Sequence, residues 1–301
     1  MSTPVSTTPS SPPAPDRDGD GFGPRLSWGA GTALLAFIAT LGATIVTSIP
    51  AIAIGDDTGT AKATGSVVGS ILQNAVFVGM PLLIVGMMVG GLRRRDVGLV
   101  LPPKAWRIPL FVAVALVLYL LISAGLGELL NAGGQEDELP DKLGAKESLL
   151  AGIAVGLAVT VCAPIGEEFL LRGILYPGLR DSLARIAPVW VAIALAAILD
   201  GLLFGALHLG GTKAIFLPVL MVFGVILCLL YQLTRTLYAN ILLHCTNNSI
   251  AITVALDWSF LGGLALWAAA VSIITLLALA ARRFELRLGP PKRVGGVTPA
   301  R

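Results

Sequence analysis

The feature that most constrains this chain is a series of long apolar blocks separated by short polar segments. A helix needs about 20 predominantly apolar residues to cross the hydrocarbon core of a bilayer. Inside lipid every backbone polar group must be satisfied within the protein, and α-helices do this segment by segment. The blocks therefore predict an all-α fold, a polytopic transmembrane helical bundle with about eight spans. We place the spans at 28–54, 66–92, 108–130, 148–170, 188–209, 214–234, 238–256 and 259–281.

The composition supports this class and excludes others. Hydrophobic residues make up 55% of the chain and charged residues only 13%, whereas soluble domains carry about 25% charged residues. The basic residues occur in short groups beside the apolar blocks and form no nucleic-acid-binding motif. We therefore expect membrane lipid as a partner and no nucleic acid.

The charges between the blocks predict an orientation. Basic segments, such as that around Arg93, alternate along the chain with acidic ones, such as that around Glu138. Basic loops stay in the cytoplasm, so we expect a multi-pass protein of the cell membrane with both termini cytoplasmic, as suits a bacterial inner membrane. The predicted divisions are a disordered cytoplasmic tail at 1–27, N-terminal transmembrane helices at 28–147, a further helical unit at 148–256, and a last span with a basic cytoplasmic tail at 257–301.

Three charged residues interrupt the fourth block, which reads "VCAPIGEEFLLRGILYPGLR". A charged side chain in mid-membrane costs about 2.5–3.5 kcal/mol, so such a group suggests a function. Glu168 and Arg172 are four residues apart and can pair on one helix face. Glu167 is turned by about 100° from Glu168 and is free to face a cavity. The alternative is that all three form one structural ion cluster.

Two histidines lie in later apolar blocks, as Phe204-x-x-x-His208 and His244-x-x-x-Asn248. A carboxylate, two imidazoles and an amide that converge in one bundle can deprotonate a water and stabilise an oxyanion. A histidine in an apolar helix is otherwise a hydrogen-bonded core residue, and that alternative stays open.

Other polar residues inside the spans have less specific interpretations. Asp200 either orients His208, balances Arg172 or faces a water-filled crevice. Asn240, Asn247 and Ser249 are expected to bond across helices without taking part in chemistry.

Three motifs occur in order on successive helices: Glu-Glu-x-x-x-Arg, Phe-x-x-x-His and His-x-x-x-Asn. With their flanks "GEEFLLRGILYPGL", "LLFGALHL" and "NILLHCTNNSI", they resemble the CPBP family over about residues 148–256. That family includes the type II CAAX prenyl endopeptidases and the Abi bacteriocin-processing and immunity proteins. The resemblance implies that 148–256 are the protease-like catalytic helices of an intramembrane endopeptidase acting on a membrane-associated protein or peptide.

The resemblance also implies roles for single residues. Glu167 would be the general base, His208 would help to hold the water, and His244 with Asn248 would stabilise the oxyanion. Three residues would support the site, namely Glu168, Arg172 and Phe204. The family has been described both as metal-dependent and as glutamate-dependent. A divalent ion such as Zn²⁺ would be held by Glu167, His208 and His244, but the HExxH motif of many zinc proteases is absent.

Two other classes of function remain open at this stage. A transporter would use intramembrane carboxylates to relay protons along a path. A non-catalytic immunity or scaffold protein would keep the bundle and bind a partner.

Overall fold

The computed structural model describes residues 28–54 and 59–281, and these residues fold as helices with one isolated β-bridge. The predicted all-α membrane bundle is confirmed. The helices are α1 Ala30–Ile54, α2 Gly59–Val89, α3 Ile108–Leu129, α4 Leu139–Lys142, α5 Leu149–Leu157, α6 Ala163–Glu168, α7 Tyr176–Leu183, α8 Val189–Ala206, α9 Leu217–Thr234, α10 Leu237–Ala255 and α11 Phe260–Ala281.

In the described part of the chain, seven helical segments are long and apolar enough to cross a membrane. The eighth predicted span, 238–256, forms α10, which has 19 residues but is not among those seven. It is too polar because one stretch of it reads Thr246-Asn247-Asn248-Ser249, in addition to Asn240 and His244. The most polar of the helices with 18 or more residues is thus one that carries predicted site residues.

The fourth span differs from its prediction. We expected it to end at 170, but the helical path continues from Leu149 to Leu183, over 35 residues. Two π-helical segments, at 158–162 and 169–175, join α5, α6 and α7 into this path. Pro164 and Pro177 each stand two residues after a π segment. Proline has no N–H and its ring crowds the carbonyl four residues earlier, so each proline disturbs the α-helical ladder at that point.

This long helical path lies at the centre of the bundle. Leu170, Leu171, Ile174 and Leu175 are all fully buried, as expected for a helix surrounded by neighbours on every side. Helix α1 packs on α2 and α7, α8 packs on α7 and α9, and α10 packs on α3, α6, α9 and α11. The glutamates of the fourth block are therefore carried by the most enclosed helix.

Helices α8 and α9 cross at two glycines. A Cβ on Gly224 would lie only 2.7 Å from the Cα of Gly201, so the two backbones meet directly. Small residues permit this close approach in membrane helices. The crossing also brings the α9 backbone beside Arg172, whose Nη2 donates to the carbonyl of Gly224 at 3.0 Å.

The predicted tails, 1–27 and 282–301, lie outside the described residues. The 22-residue helix α3 separates the basic segment around Arg93 from the acidic segment around Glu138. The cytoplasmic location of the termini stays a prediction, as does the division of the chain into units.

Candidate active site

A cluster of buried charges lies where α6, the second π segment, α8 and α10 meet. Arg172 Nη1 donates to Glu168 Oε1 at 3.0 Å, and Arg172 Nε lies 3.3 Å from Asp200 Oδ1. All three side chains are completely buried. The predicted pairing of Glu168 with Arg172 is confirmed. Of the three interpretations of Asp200, the structure selects the one in which it balances Arg172, and Asp200 does not face a crevice.

Phe204 covers the guanidinium of Arg172. The Arg172 Cζ lies 4.9 Å from the Phe204 ring centroid, within the range of a cation–π contact. Cys228 Sγ donates to Asp200 Oδ1 at 3.1 Å. One arginine therefore faces two buried carboxylates, and polar or aromatic neighbours on α8 and α9 complete its surroundings.

Glu168 has two further partners that the sequence did not predict. His244 Nδ1 lies 2.8 Å from Glu168 Oε1, and Asn240 Nδ2 donates to Glu168 Oε2 at 3.3 Å. The ionised Glu168 carboxylate has no hydrogen to donate and can only accept hydrogen bonds. The Nδ1 of His244 therefore carries the hydrogen of this bond. Glu168 thus fixes the ring of His244 and leaves its Nε2 as the nitrogen that faces Glu167. Asn240, for which we expected only an interhelical bond, supports the site.

Glu167 has a different environment from Glu168. It is 8% exposed, and its Oε2 has no hydrogen-bond partner among the described residues. His244 Nε2 lies 3.9 Å from that oxygen, which is too far for a direct hydrogen bond. The helical geometry that separated the two glutamates in the sequence analysis is therefore observed: Glu168 is held inside, and Glu167 faces a cavity.

His208 lies in the turn after α8, not inside a span as we expected from 188–209. Its backbone N–H bonds to Gly205 O at 3.1 Å, a tightened i to i−3 bond that ends the helix. Its Nδ1 lies 2.9 Å from Phe204 O. A carbonyl oxygen can only accept, so Nδ1 carries the hydrogen and Nε2 is left as an acceptor. The ring of Phe204 lies 5.0 Å from the His208 centroid and 5.6 Å from that of His244.

Asn248 is held by the first π segment. Its Nδ2 donates to Val159 O at 3.0 Å, and its Oδ1 accepts from Asn247 Nδ2 at 3.4 Å. A side-chain amide has two N–H groups, so one remains available. The amide is thereby fixed in orientation before any ligand arrives.

The four predicted catalytic side chains, Glu167, His208, His244 and Asn248, line one cavity with a volume of about 960 Å³. Helix α2, the first π segment, α6 and α10 contribute to its walls. The cavity extends as far as Lys62 on α2 and residue 137, in the segment between α3 and α4. It is much larger than the space between the four side chains and can accommodate a length of substrate.

Sequence reasoning missed one residue of this cavity. Asn74 on α2 is 7% exposed and lines the cavity, and its Oδ1 has no partner among the described residues. The available signal was an asparagine in the middle of an apolar span, which is costly unless its amide is satisfied. No motif surrounds Asn74, so its sequence context gives no indication of a role in the site.

The proposed metal ligands are not gathered as a metal site. Within 28–54 and 59–281, no group of three or more His, Cys, Asp or Glu side chains is placed to hold a metal ion. Glu167, His208 and His244 as placed do not form such a group.

Comparison with known proteins adds one match. Residues 149–250 match the family model described as type II CAAX prenyl endopeptidase Rce1-like. This segment is similar to the Rce1-like family. The resemblance to the CPBP proteins is thereby confirmed over about a third of the chain. No curated protein and no solved structure matches the chain significantly.

The Rce1-like segment begins at α5 and ends inside α10. It includes every predicted site residue from Glu167 to Asn248 and excludes α1, α2, α3 and α11. The family supports a CAAX-type intramembrane protease as the general class and a multi-pass membrane protein as its setting. Asn74, on α2, lies outside the matched segment.

Proposed function

We propose that this chain is an intramembrane endopeptidase that hydrolyses a peptide bond of a membrane-associated protein or peptide. The observation that carries the proposal is the contrast between the two glutamates. Glu168 is fully bound by Arg172, Asn240 and His244, whereas Glu167 presents an unpaired, buried carboxylate oxygen to the cavity. A buried acceptor without a donor costs free energy of folding. A general base needs such an acceptor, because its oxygen must be available to receive a proton.

Glu167 acts as the general base in this proposal. It takes one proton from a water molecule as the water oxygen attacks the carbonyl carbon of the scissile bond. The carbonyl π bond breaks and leaves a tetrahedral intermediate with an oxyanion. When the C–N bond breaks, the leaving amine receives the proton from Glu167, which returns to its carboxylate form.

The oxyanion needs donors whose direction is already fixed. The second N–H of Asn248 is one such donor, because Val159 O holds the first. His244 Nε2 is another when the ring carries both hydrogens, and Glu168 then balances its charge through Nδ1. His208 contributes its Nε2 to the same cavity, because its Nδ1 is bonded to Phe204 O.

The arrangement favours catalysis over the alternatives. A proton relay requires titratable groups placed in succession along a path, whereas Glu167, His208 and His244 all line one cavity. A scaffold protein requires no unpaired carboxylate at all. Among the described residues, no group of three or more His, Cys, Asp or Glu side chains is placed to hold a metal ion, and chelation tests a metal-dependent variant of the reaction.

The test compares membranes of cells that express the wild type with membranes of cells that express Glu167→Gln. New protein termini generated by cleavage are identified by mass spectrometry. Losing a general base reduces a rate by about 10²–10⁴-fold, so termini present with the wild type should be absent with the variant. Equal insertion and equal melting of the two proteins is the control. A parallel chelator treatment decides metal dependence, and identical termini in both samples would refute the proposal.

A further inference from the structure

Asn74 brings a buried, unpaired oxygen to the turn that carries Glu167. Its Nδ2 donates to Ser70 O, one turn earlier on α2, at 2.8 Å. A carbonyl can only accept, so this bond fixes the amide with Nδ2 toward its own helix and Oδ1 pointing away. Oδ1 then lies against Gly166, the residue immediately before Glu167.

Gly166 is what allows this approach. A Cβ at position 166 would come within 2.9 Å of the Asn74 Cγ and would overlap Oδ1. Any residue other than glycine at position 166 would therefore displace the Asn74 amide. The close packing of α2 on α6 at this point places the Asn74 amide beside the residue that precedes Glu167, the proposed general base.

Among the described residues, no donor reaches two acceptors of this cavity, Asn74 Oδ1 and Glu167 Oε2. Both residues are more than nine-tenths buried, and both line the same cavity. Two acceptors cannot bond to each other, so each requires a hydrogen from a third group. A water molecule supplies two hydrogens, and a polar cavity with several partners holds such a water well.

We propose that Asn74 Oδ1 and Glu167 Oε2 together bind the water that attacks the scissile bond. This inference rests on the proposed function. With both hydrogens committed to these acceptors, the lone pairs of the water oxygen point away from them and into the cavity, where the substrate carbonyl lies. Asn74 is thus a water-positioning residue, supplied by a helix outside the Rce1-like segment.

The alternative acceptor for the second hydrogen is His208 Nε2. His208 Nδ1 is bonded to Phe204 O in the turn after α8, whereas His244 is the imidazole that lies 3.9 Å from Glu167. Asn74 instead packs against the residue adjacent to Glu167 in the chain. The geometry therefore assigns the second hydrogen to Asn74 and leaves His208 available to the substrate.

The kinetic test uses Asn74→Leu, which keeps a similar volume and removes the acceptor. The substrate is a fluorogenic peptide that spans a cleavage site mapped in the comparison of wild type with Glu167→Gln. A misplaced reacting group costs up to about 10²-fold in rate, so we expect kcat to fall roughly 10-fold to 100-fold with KM within about twofold. Thr64→Val is the matched control, because it removes a polar group from an exposed position of the same helix that does not line the cavity, and it should retain wild-type kinetics.

Gly166→Ala gives a second, independent variant. Its methyl group displaces the Asn74 amide without removing any polar group, so it should also lower kcat more than it raises KM. A normal kcat in either variant, with Glu167→Gln inactive, would overturn the role of Asn74 and leave the protease function in place.

A structural measurement separates the two proposals further. Cryo-electron microscopy of the wild type in lipid nanodiscs, at a resolution that shows ordered water, should reveal one water between Asn74 Oδ1 and the Glu167 carboxylate. The same water should be missing from Asn74→Leu. If the wild type shows no water there, the inference is wrong whatever the activity. If the wild type cleaves nothing, the proposed function fails, while a water at this position would still confirm the binding site.

Discussion

Replacing Arg172 by glutamine should destabilise this protein more than any change to the glutamates. Arg172 pairs with Glu168 at 3.0 Å and with Asp200 at 3.3 Å, and all three side chains are fully buried. Breaking a buried ion pair from one side costs about 3–5 kcal/mol, because a charge is left uncompensated. Arg172→Gln leaves two carboxylates in that condition, so we expect a loss at the upper end of this range.

Glu168→Gln should cost less, for a reason visible only in the structure. Arg172 keeps Asp200 as a counter-ion, and an amide oxygen can still accept one of the bonds that Glu168 received. The loss is that of hydrogen bonds to a charged group, about 1.5–3 kcal/mol. Activity should fall as well, because His244 loses the carboxylate that orients its ring.

Glu167→Gln should leave the stability of the folded protein unchanged within about 0.5 kcal/mol, since the Glu167 Oε2 makes no hydrogen bond to another described residue that could be lost. It should abolish cleavage. The two substitutions should therefore differ in their effects on stability and activity. Glu167→Gln should be as stable as the wild type and inactive, whereas Glu168→Gln should be less stable and have reduced activity.

The assay is thermal unfolding of the detergent-purified variants, with cleavage measured on the same preparations. The expected order of melting temperature is wild type and Glu167→Gln together, then Glu168→Gln, then Arg172→Gln. Adding Asp200→Asn to Arg172→Gln should restore part of the loss, because one uncompensated carboxylate is removed. Equal melting of Glu168→Gln and Glu167→Gln would refute the division of roles, as would a double variant less stable than Arg172→Gln alone.

Two further predictions concern topology and packing. A membrane-impermeant maleimide applied to intact cells should label Glu138→Cys and should not label Arg95→Cys, although both positions are more than half exposed; the reverse pattern would contradict the cytoplasmic location of the basic loops. Gly224→Ala should lower stability by about 1–3 kcal/mol through overpacking, because its Cβ would meet Gly201. Gly79→Ala, which meets nothing within 4 Å, is the matched control and should melt no lower than the wild type.

The apolar blocks predicted the helices because length and hydropathy are local properties of a sequence. The end of the fourth span was wrong for a tertiary reason. Arg180 is a charged residue beyond the predicted end at 170, but its guanidinium bonds to Asp181 at 2.7 Å and to Gln232 on α9 at 2.9 Å, and it is buried. A paired and buried arginine does not end a helix, and no pattern within the fourth block reveals its partner on α9.

The site was predictable to the extent that its contacts are local. The pairing of Glu168 with Arg172 follows from a spacing of four residues. The bond between Glu168 and His244 joins residues 76 positions apart, and no periodicity encodes it. Asn74 was missed for the same reason, since its significance depends on a glycine of another helix.

Two π segments interrupt the central helical path. The number of residues in each segment sets the direction in which the helix after it presents its side chains. A π turn closes on residue i+5, whereas an α turn closes on i+4, so each segment behaves as an α-helix with one residue added. Deleting one residue from 169–175 would restore the α-helical repeat and turn α7 by about 100° relative to Glu167. Trp28, whose Nε1 donates to Ile174 O, would lose its acceptor although no chemical group had changed. This stretch should therefore accept many replacements of one side chain by another, yet tolerate no change in its length.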